Sequence, residues 1–284
     1  MNFGGEEVKY SYDDSSFIII PVPYDETSTW LKGADRGPEA ILEASVNLEF
    51  FDPETSVEAH LLGIHTVQPV LEKRTPELLV NAVKERVTEV LNAGKFPVVI
   101  GGNHTVTIGS AFAVCGSFPD LSVLQLDAHA DLREEYEGSA LNHACVMARV
   151  RERAEIVQVG IRSISAAEAK SADTRRIFFA HDLHYERRLY AAAAEKLNEN
   201  VYITIDLDVF DPSLIPSTGT PEPGGPGYFE IMHFLRDVIR EKNVVGFDVV
   251  ELCPSTLHRA ADFTAARIVY QLISYLAAKR IGSL

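Results

Sequence analysis

Cysteine is scarce. Cys115, Cys145 and Cys253 are the only three in 284 residues. An odd number at wide spacing argues against a disulfide framework and fits a reducing compartment, so a cytoplasmic protein is expected. No run of about 18 apolar residues occurs, which removes a membrane-spanning helix. The opening stretch MNFGGEEVKYSYDDSS is polar and acidic, without the basic-then-apolar pattern of a secretory leader. Positive charge is also short: 26 Lys and Arg against 41 Asp and Glu leave a net charge of -15. That balance makes nucleic acid and anionic membranes poor partners and favours a cationic ligand, although acidity also serves solubility. Internal repeats, low-complexity tracts and heptads are absent too, so nothing offers a solenoid or coiled-coil interaction protein. With no linker-like change of composition, residues 1–284 read as one domain.

Short apolar runs fill the chain instead. They are Phe17–Val22, Leu61–Ile64, Pro97–Ile100, Leu121–Leu126, Ile156–Ile161, Arg176–Ala180, Val201–Ile205 and Val244–Val250. Several are continuously apolar rather than alternating, the pattern of parallel strands buried on both faces. Segments of helical composition lie between them: Thr75–Ala93, Leu189–Leu197, Phe229–Ile239 and Thr264–Ala278. Strands alternating with helices predict an α/β fold, a three-layer α/β/α sandwich with a mostly parallel sheet of about eight strands. In such sheets ligands sit beyond the carboxyl ends of the strands. The unusual polar clusters fall there. Gly101-Gly102-Asn103-His104, Asp127-Ala128-His129-Ala130-Asp131, Asp206-Leu207-Asp208 and Glu251 each follow an apolar run.

In extended chain, residues i, i+2 and i+4 share a side, so Asp127, His129 and Asp131 are expected to converge. Asp206 and Asp208 add two carboxylates, and His104 a second imidazole. A lone Asp-x-Asp is usually a turn or a cap. Three such clusters ending three core strands point to metal. Four ionised carboxylates in one pocket would force proton uptake unless a cation neutralised them. Two divalent ions would balance Asp127, Asp131, Asp206 and Asp208. Carboxylate and imidazole ligands without thiolate favour Mn over a structural Zn site. Shared carboxylates suit ions about 3.5–4 Å apart.

These residues resemble the ureohydrolase (arginase/agmatinase) family. The matching motifs are GGNHTVTIG at 101–109, DAHADLR at 127–133, NHA at 142–144, DLDVFDPSLIPSTGTPEPGG at 206–225 and DVVELCP at 248–254. TSTWLKGADRGPEAILEAS at 27–45 resembles the family's substrate-loop and helix region. The resemblance implies an arginase-like fold, two Mn2+ per chain and a homotrimer or homohexamer. It assigns His104, Asp127, Asp131 and Asp206 to one ion, and His129, Asp127, Asp206 and Asp208 to the other. It implies attack of a metal-bridging hydroxide on a guanidinium carbon. Asp131 would aim the hydroxide, Glu251 would hold the guanidinium, and His143 would relay a proton to the leaving amine. One departure is Asn103, where the family usually has Asp; the charge is lost beside the first ligand. Thr105 in place of the usual Ser keeps a hydroxyl.

The resemblance also bears on substrate. Arginases grip the amino-acid end of arginine with an Asn two residues after the DxHxD motif and an Asp further on. Here Arg133 and Ser165 stand at those places. Together with GTPEPGG at 219–225, they imply a small cationic guanidino substrate, agmatine, cleaved to urea and putrescine. Arginase, guanidinobutyrase, guanidinopropionase or formimidoylglutamase activity on the same scaffold is the alternative, with Arg133 able to meet a carboxylate tail. A metal-dependent amide deacetylase or an inactive binding protein would be a different class. The doubled Asp-x-Asp argues against the first, and the filled ligand set against the second.

Overall fold

Val- and Ile-rich runs that bury both faces can satisfy their backbone only in the middle of a sheet. The computed structural model describes residues 1–284 and shows this outcome. The strands are β1 (Phe17–Val22), β2 (Ile64–Thr66), β3 (Phe96–Gly101), β4 (Leu121–Leu126), β5 (Glu155–Ile161), β6 (Ile177–Phe179), β7 (Asn200–Asp206) and β8 (Asn243–Val250). They form one sheet in the order β2-β1-β3-β8-β7-β4-β5-β6. Every pairing in it is parallel.

Alternate side chains of each strand feed two cores. In β1, Phe17 and Ile19 enter the larger one and Ile18, Ile20 and Val22 the smaller. Nine α-helices connect and cover the strands: α1 (Gly37–Ser45), α2 (Pro76–Asn92), α3 (Val106–Ser117), α4 (Val146–Val150), α5 (Ala166–Ser171), α6 (Ala180–Tyr185), α7 (Arg188–Glu195), α8 (Tyr228–Glu241) and α9 (Ala260–Arg280). α2, α3 and α4 cover one face through Val83, Val114 and Val146. α1, α7, α8 and α9 cover the other through Ile41, Ala193, Leu235 and Val269. The result is the expected three-layer sandwich. α2 shows how local sequence sets a boundary. The Thr75 hydroxyl accepts the Leu78 N–H at 3.3 Å, and Pro76 occupies the first turn, where its missing N–H costs nothing.

Two expected strands are corrected, and one helix was not expected. The second strand is Ile64–Thr66, because Ala59–Leu62 winds into a 3-10 turn closed by Gly63 at φ 78°. The run Arg176–Ala180 keeps only Ile177–Phe179 as strand, since Ala180 opens α6. α3 carried no readable period because it is buried nearly all round, from Val106 through Val114. No helix is long and apolar enough to cross a membrane.

The candidate metal centre and active site

The loops after β3, β4, β7 and β8 meet at one edge of the sheet. Gly102 makes the first approach possible. Its N–H donates to Val22 O at 2.7 Å. A Cβ there would lie 2.0 Å from Tyr24 O. The next residues turn into α3 and bring His104 inward. Its ring is buried, and Nε2 lies 2.9 Å from Thr204 Oγ1 on β7. If Nε2 donates there, Nδ1 keeps a free lone pair. Nδ1 lies 3.1 Å from Asp127 Oδ2, 3.0 Å from Asp131 Oδ2 and 3.4 Å from Asp206 Oδ2. It is buried without a well-directed hydrogen bond. On the other side, His129 Nδ1 lies 2.9 Å from Asp208 Oδ2 and 3.5 Å from Asp127 Oδ1.

Two sets of ligand atoms result: His104, Asp127 and Asp206, and Asp127, His129 and Asp208. Asp127 belongs to both. Asp131 touches the first set through His104, and Asp206 groups with the first set alone. All six predicted ligand residues therefore come together, but not by strand alternation. β4 ends at Leu126, and Asp131 turns in through a left-handed backbone at φ 53°. Asp206 and Asp208 diverge because a 3-10 turn, Leu207–Val209, follows β7; Asp206 Oδ1 accepts the Asp208 N–H at 2.9 Å. Beneath them, Gln125 Nε2 donates to Asp127 Oδ2 at 2.7 Å, and Gln158, its neighbour on β5, donates to Gln125 and to Ala130 O. Asp127 is thus aimed by a buried amide pair.

The electrostatics show how tightly charge is packed. Burial pushes Asp131 up to about 7, with help from Asp127. Burial, then Asp208 and Asp127, drives Asp206 well above the carboxylate range. Burial alone would lower both imidazoles. Asp127 and Asp131 instead lift His104 well above its ordinary value, and Asp208 with Asp127 lifts His129 to about 12. Burial would raise Asp127, but His104 and His129 outweigh it and hold it below the usual range. Orphaned imidazole nitrogen, shared carboxylate and excess buried acid together fit a pair of divalent ions.

Glu251 follows β8 at φ 65°. Its Oε1 accepts the His104 N–H at 2.7 Å, and its own N–H donates to Gly102 O at 2.8 Å. Burial raises its carboxyl to about 8. Glu251 forms part of the lining of a cavity of about 320 Å³, with His104, His129, Asp131 and Asp206. His143 also lines it; burial lowers its ring to about 4. Arg133 and Ser165 line it as well. Asn103 faces elsewhere: its Nδ2 donates to Thr27 Oγ1 at 2.7 Å and Ser28 Oγ at 3.1 Å, bracing the 27–31 loop. Its missing charge therefore does not touch the His104 ring. Cys145 is buried, and Cys253 Sγ contacts Lys32 O at 3.2 Å; neither lines the cavity.

Sequence reasoning held Trp30 only as part of the 27–45 substrate-loop segment and missed Tyr136, Glu168 and Thr204. Trp30, Tyr136 and Glu168 complete the cavity wall and Thr204 braces His104. Of the three missed, only Glu168 carried a signal, the capping pattern Ser165-x-x-Glu168 that opens α5. Arg162 was passed over too. Its guanidinium donates to the carbonyls of Asp208 (2.7 Å), Val209 (3.1 Å), Gly160 (3.1 Å), Glu222 (2.7 Å) and Pro223 (3.1 Å), stitching the Asp208 turn to the 219–225 loop.

Comparison with known proteins agrees with this architecture. A family model described as the Arginase family matches residues 15–274. An N(1)-aminopropylagmatine ureohydrolase of Thermus thermophilus is 41% identical over 270 residues, covering 92% of this chain and 90% of that one. An agmatinase of Pyrococcus horikoshii is 34% identical over 269 residues, covering 92% of each chain. The crystal structure of an agmatine ureohydrolase of Thermoplasma volcanium superposes with a TM-score of 0.89 at 27% identity, covering 100% of this chain and 96% of that one. The chain therefore belongs to the arginase family and is a ureohydrolase.

Proposed function

We propose that this enzyme hydrolyses the guanidino group of a decarboxylated, cationic substrate, N1-aminopropylagmatine or agmatine, to urea and an amine. The observation that carries the reading is Glu251, a buried carboxylate on the cavity wall whose backbone and Oε1 are bonded to the turn bearing His104. Burial raises that carboxyl to about 8 when nothing cationic faces it; a bound guanidinium favours its ionised form, so the two can pair through charge-assisted hydrogen bonds. The aminopropylagmatine branch is favoured by the 41% identity to the Thermus protein. Agmatine is supported by the Pyrococcus relative.

His104, Asp127, Asp131 and Asp206 would hold one ion, and Asp127, His129 and Asp208 the other. Manganese is the metal this oxygen- and nitrogen-only donor set favours. A pair of divalent ions held there would supply a water nucleophile at neutral pH and would neutralise the carboxylates. Asp131 would accept a hydrogen bond from that water and direct it. Glu251 binds and orients the guanidinium. His143, kept neutral by burial, exchanges a proton between the cavity and the departing amine. The same reading carries assembly as a homotrimer or homohexamer.

Urea release from the manganese-loaded protein tests it, using N1-aminopropylagmatine, agmatine, arginine and guanidinobutyrate. We expect the two decarboxylated cations to exceed arginine in kcat/KM by at least about tenfold. Arg133 and Ser165 leave arginine's zwitterionic end poorly paired, and burying it so costs affinity. Urea from none of the four sinks the proposal. Arginine equal to the cations sinks its substrate half.

A further inference from the structure

Away from the metal-ligand residues, Arg133, Tyr136, Glu168 and Trp30 also line the cavity. There Arg133 lies with its guanidinium carbon 4.9 Å from the centroid of the Tyr136 ring. Its Nε is 4.0 Å from Glu168 Oε2. Glu168 is buried, and its oxygens accept only backbone N–H groups, from Leu132 at 3.0 Å and Ser165 at 2.9 Å. Its carboxylate therefore has acceptor capacity to spare. Trp30, 74% exposed, lines the same cavity. An aromatic face, a buried carboxylate and a second exposed aromatic make a cradle for a cation. Arg133 is the cation now in it. It is held loosely: the ion pair is long, and the side chain is 42% exposed.

We propose that the Tyr136 face and Glu168 form a tail-cation subsite, which Arg133 fills until a substrate's distal ammonium displaces it. This rests on the guanidino-hydrolase reading above and adds how the tail is chosen. Arg133 then acts as a built-in competitor. A tail with an ammonium gains the aromatic face and the carboxylate by displacing it. A neutral alkyl tail gains neither and leaves Arg133 where it is. The subsite thus selects polyamine-like tails by charge, whereas the floor selects the guanidinium.

Trp30, the only tryptophan, gives a direct reporter. The probe is 1,4-diaminobutane, which has tail ammonium groups but no guanidinium. Titrated into metal-loaded protein, it should change Trp30 emission saturably. Arg133→Gln should tighten it by at least about threefold, by removing the competitor. Tyr136→Leu should weaken it by a similar factor, and Tyr136→Phe, which keeps the ring, should not. In urea assays, Tyr136→Leu should lower kcat/KM for agmatine relative to butylguanidine, chiefly through KM. An affinity unchanged in both Arg133→Gln and Tyr136→Leu, or no saturable response in the wild type, overturns the subsite. Because the diamine cannot be hydrolysed, its binding is decided separately from urea release, so a failed subsite and a failed hydrolase reading give different results.

Discussion

Replacing Glu251 by Gln separates recognition of the guanidinium from assembly of the metal centre. The carboxylate has one structural bond, to the His104 N–H at 2.7 Å. A glutamine carbonyl oxygen can accept the same bond, so the turn that delivers His104 should survive. The lost feature is a negative charge opposite the substrate in a place shielded from water. A hydrogen bond to a charged partner is worth about 1.5–3 kcal/mol. Mutations at groups that stabilise charge in a closed site cost about 2.7–4 kcal/mol. We therefore expect kcat/KM to fall by a factor between about thirty and a thousand. Urea release at low substrate concentration gives that ratio, and elemental analysis of the same preparation gives its metal content. The reasoning is refuted by a fully metallated variant within about threefold of wild type. A variant that loses its metal as well would show that Glu251 serves mainly to hold the His104 turn.

Loading the protein with divalent metal at pH 7 should expel protons. In the metal-free site, neighbouring carboxylates hold His104 well above its ordinary value and His129 at about 12, so both rings carry a proton that coordination must remove. Calorimetry in buffers of different ionisation enthalpy should find about two or more protons released, with apparent affinity rising with pH; pH-independent loading would contradict this. Arg162→Lys cannot reproduce a fan of bonds to six carbonyls, the longest of them to Phe210 O at 3.4 Å. It should lower stability by about 2–4 kcal/mol, with hydrogen exchange speeding up first in residues 207–225; a denaturation midpoint equal to wild type would show that the loops hold without it. Light scattering should report a mass near three or six times 31.3 kDa, and a single-chain mass at micromolar concentration would end the oligomer proposal.

Much of this was legible because burial leaves a mark on composition. Six of the eight strands are buried along most of their length and fall on apolar runs, and the ligand clusters stand out as acids and histidines at the ends of such runs. How the ligands converge was not legible. Alternation predicted Asp127, His129 and Asp131 on one side. The backbone at Asp131 instead takes a left-handed turn that a non-glycine residue adopts at a cost of about 1–3 kcal/mol, and His129 reaches a different carboxylate, Asp208. Tertiary packing pays that cost, and no local pattern encodes it. The places of Trp30 and Tyr136 were hidden for a related reason. Each lies on a loop with no period, and its position on the cavity wall depends on chain far away. Glu168 could be read as a helix cap, which it is, but not as a wall of the cavity, which it also is.

The order of strands across the sheet has a consequence for how the enzyme comes into being. The site is carried by β3, β8, β7 and β4, four neighbours in space that are spread along the chain. His104 meets Glu251 across 147 positions of sequence. Contacts that distant close late, because long loops must be ordered before they are rewarded. A nascent chain can pair β1 with β3, yet it has no metal centre until β8 has slid between β3 and β7. Ions that bind only the finished arrangement then stabilise it by mass action. They would act as a clasp on the centre of the sheet, so withdrawing metal should loosen its middle strands before its edges.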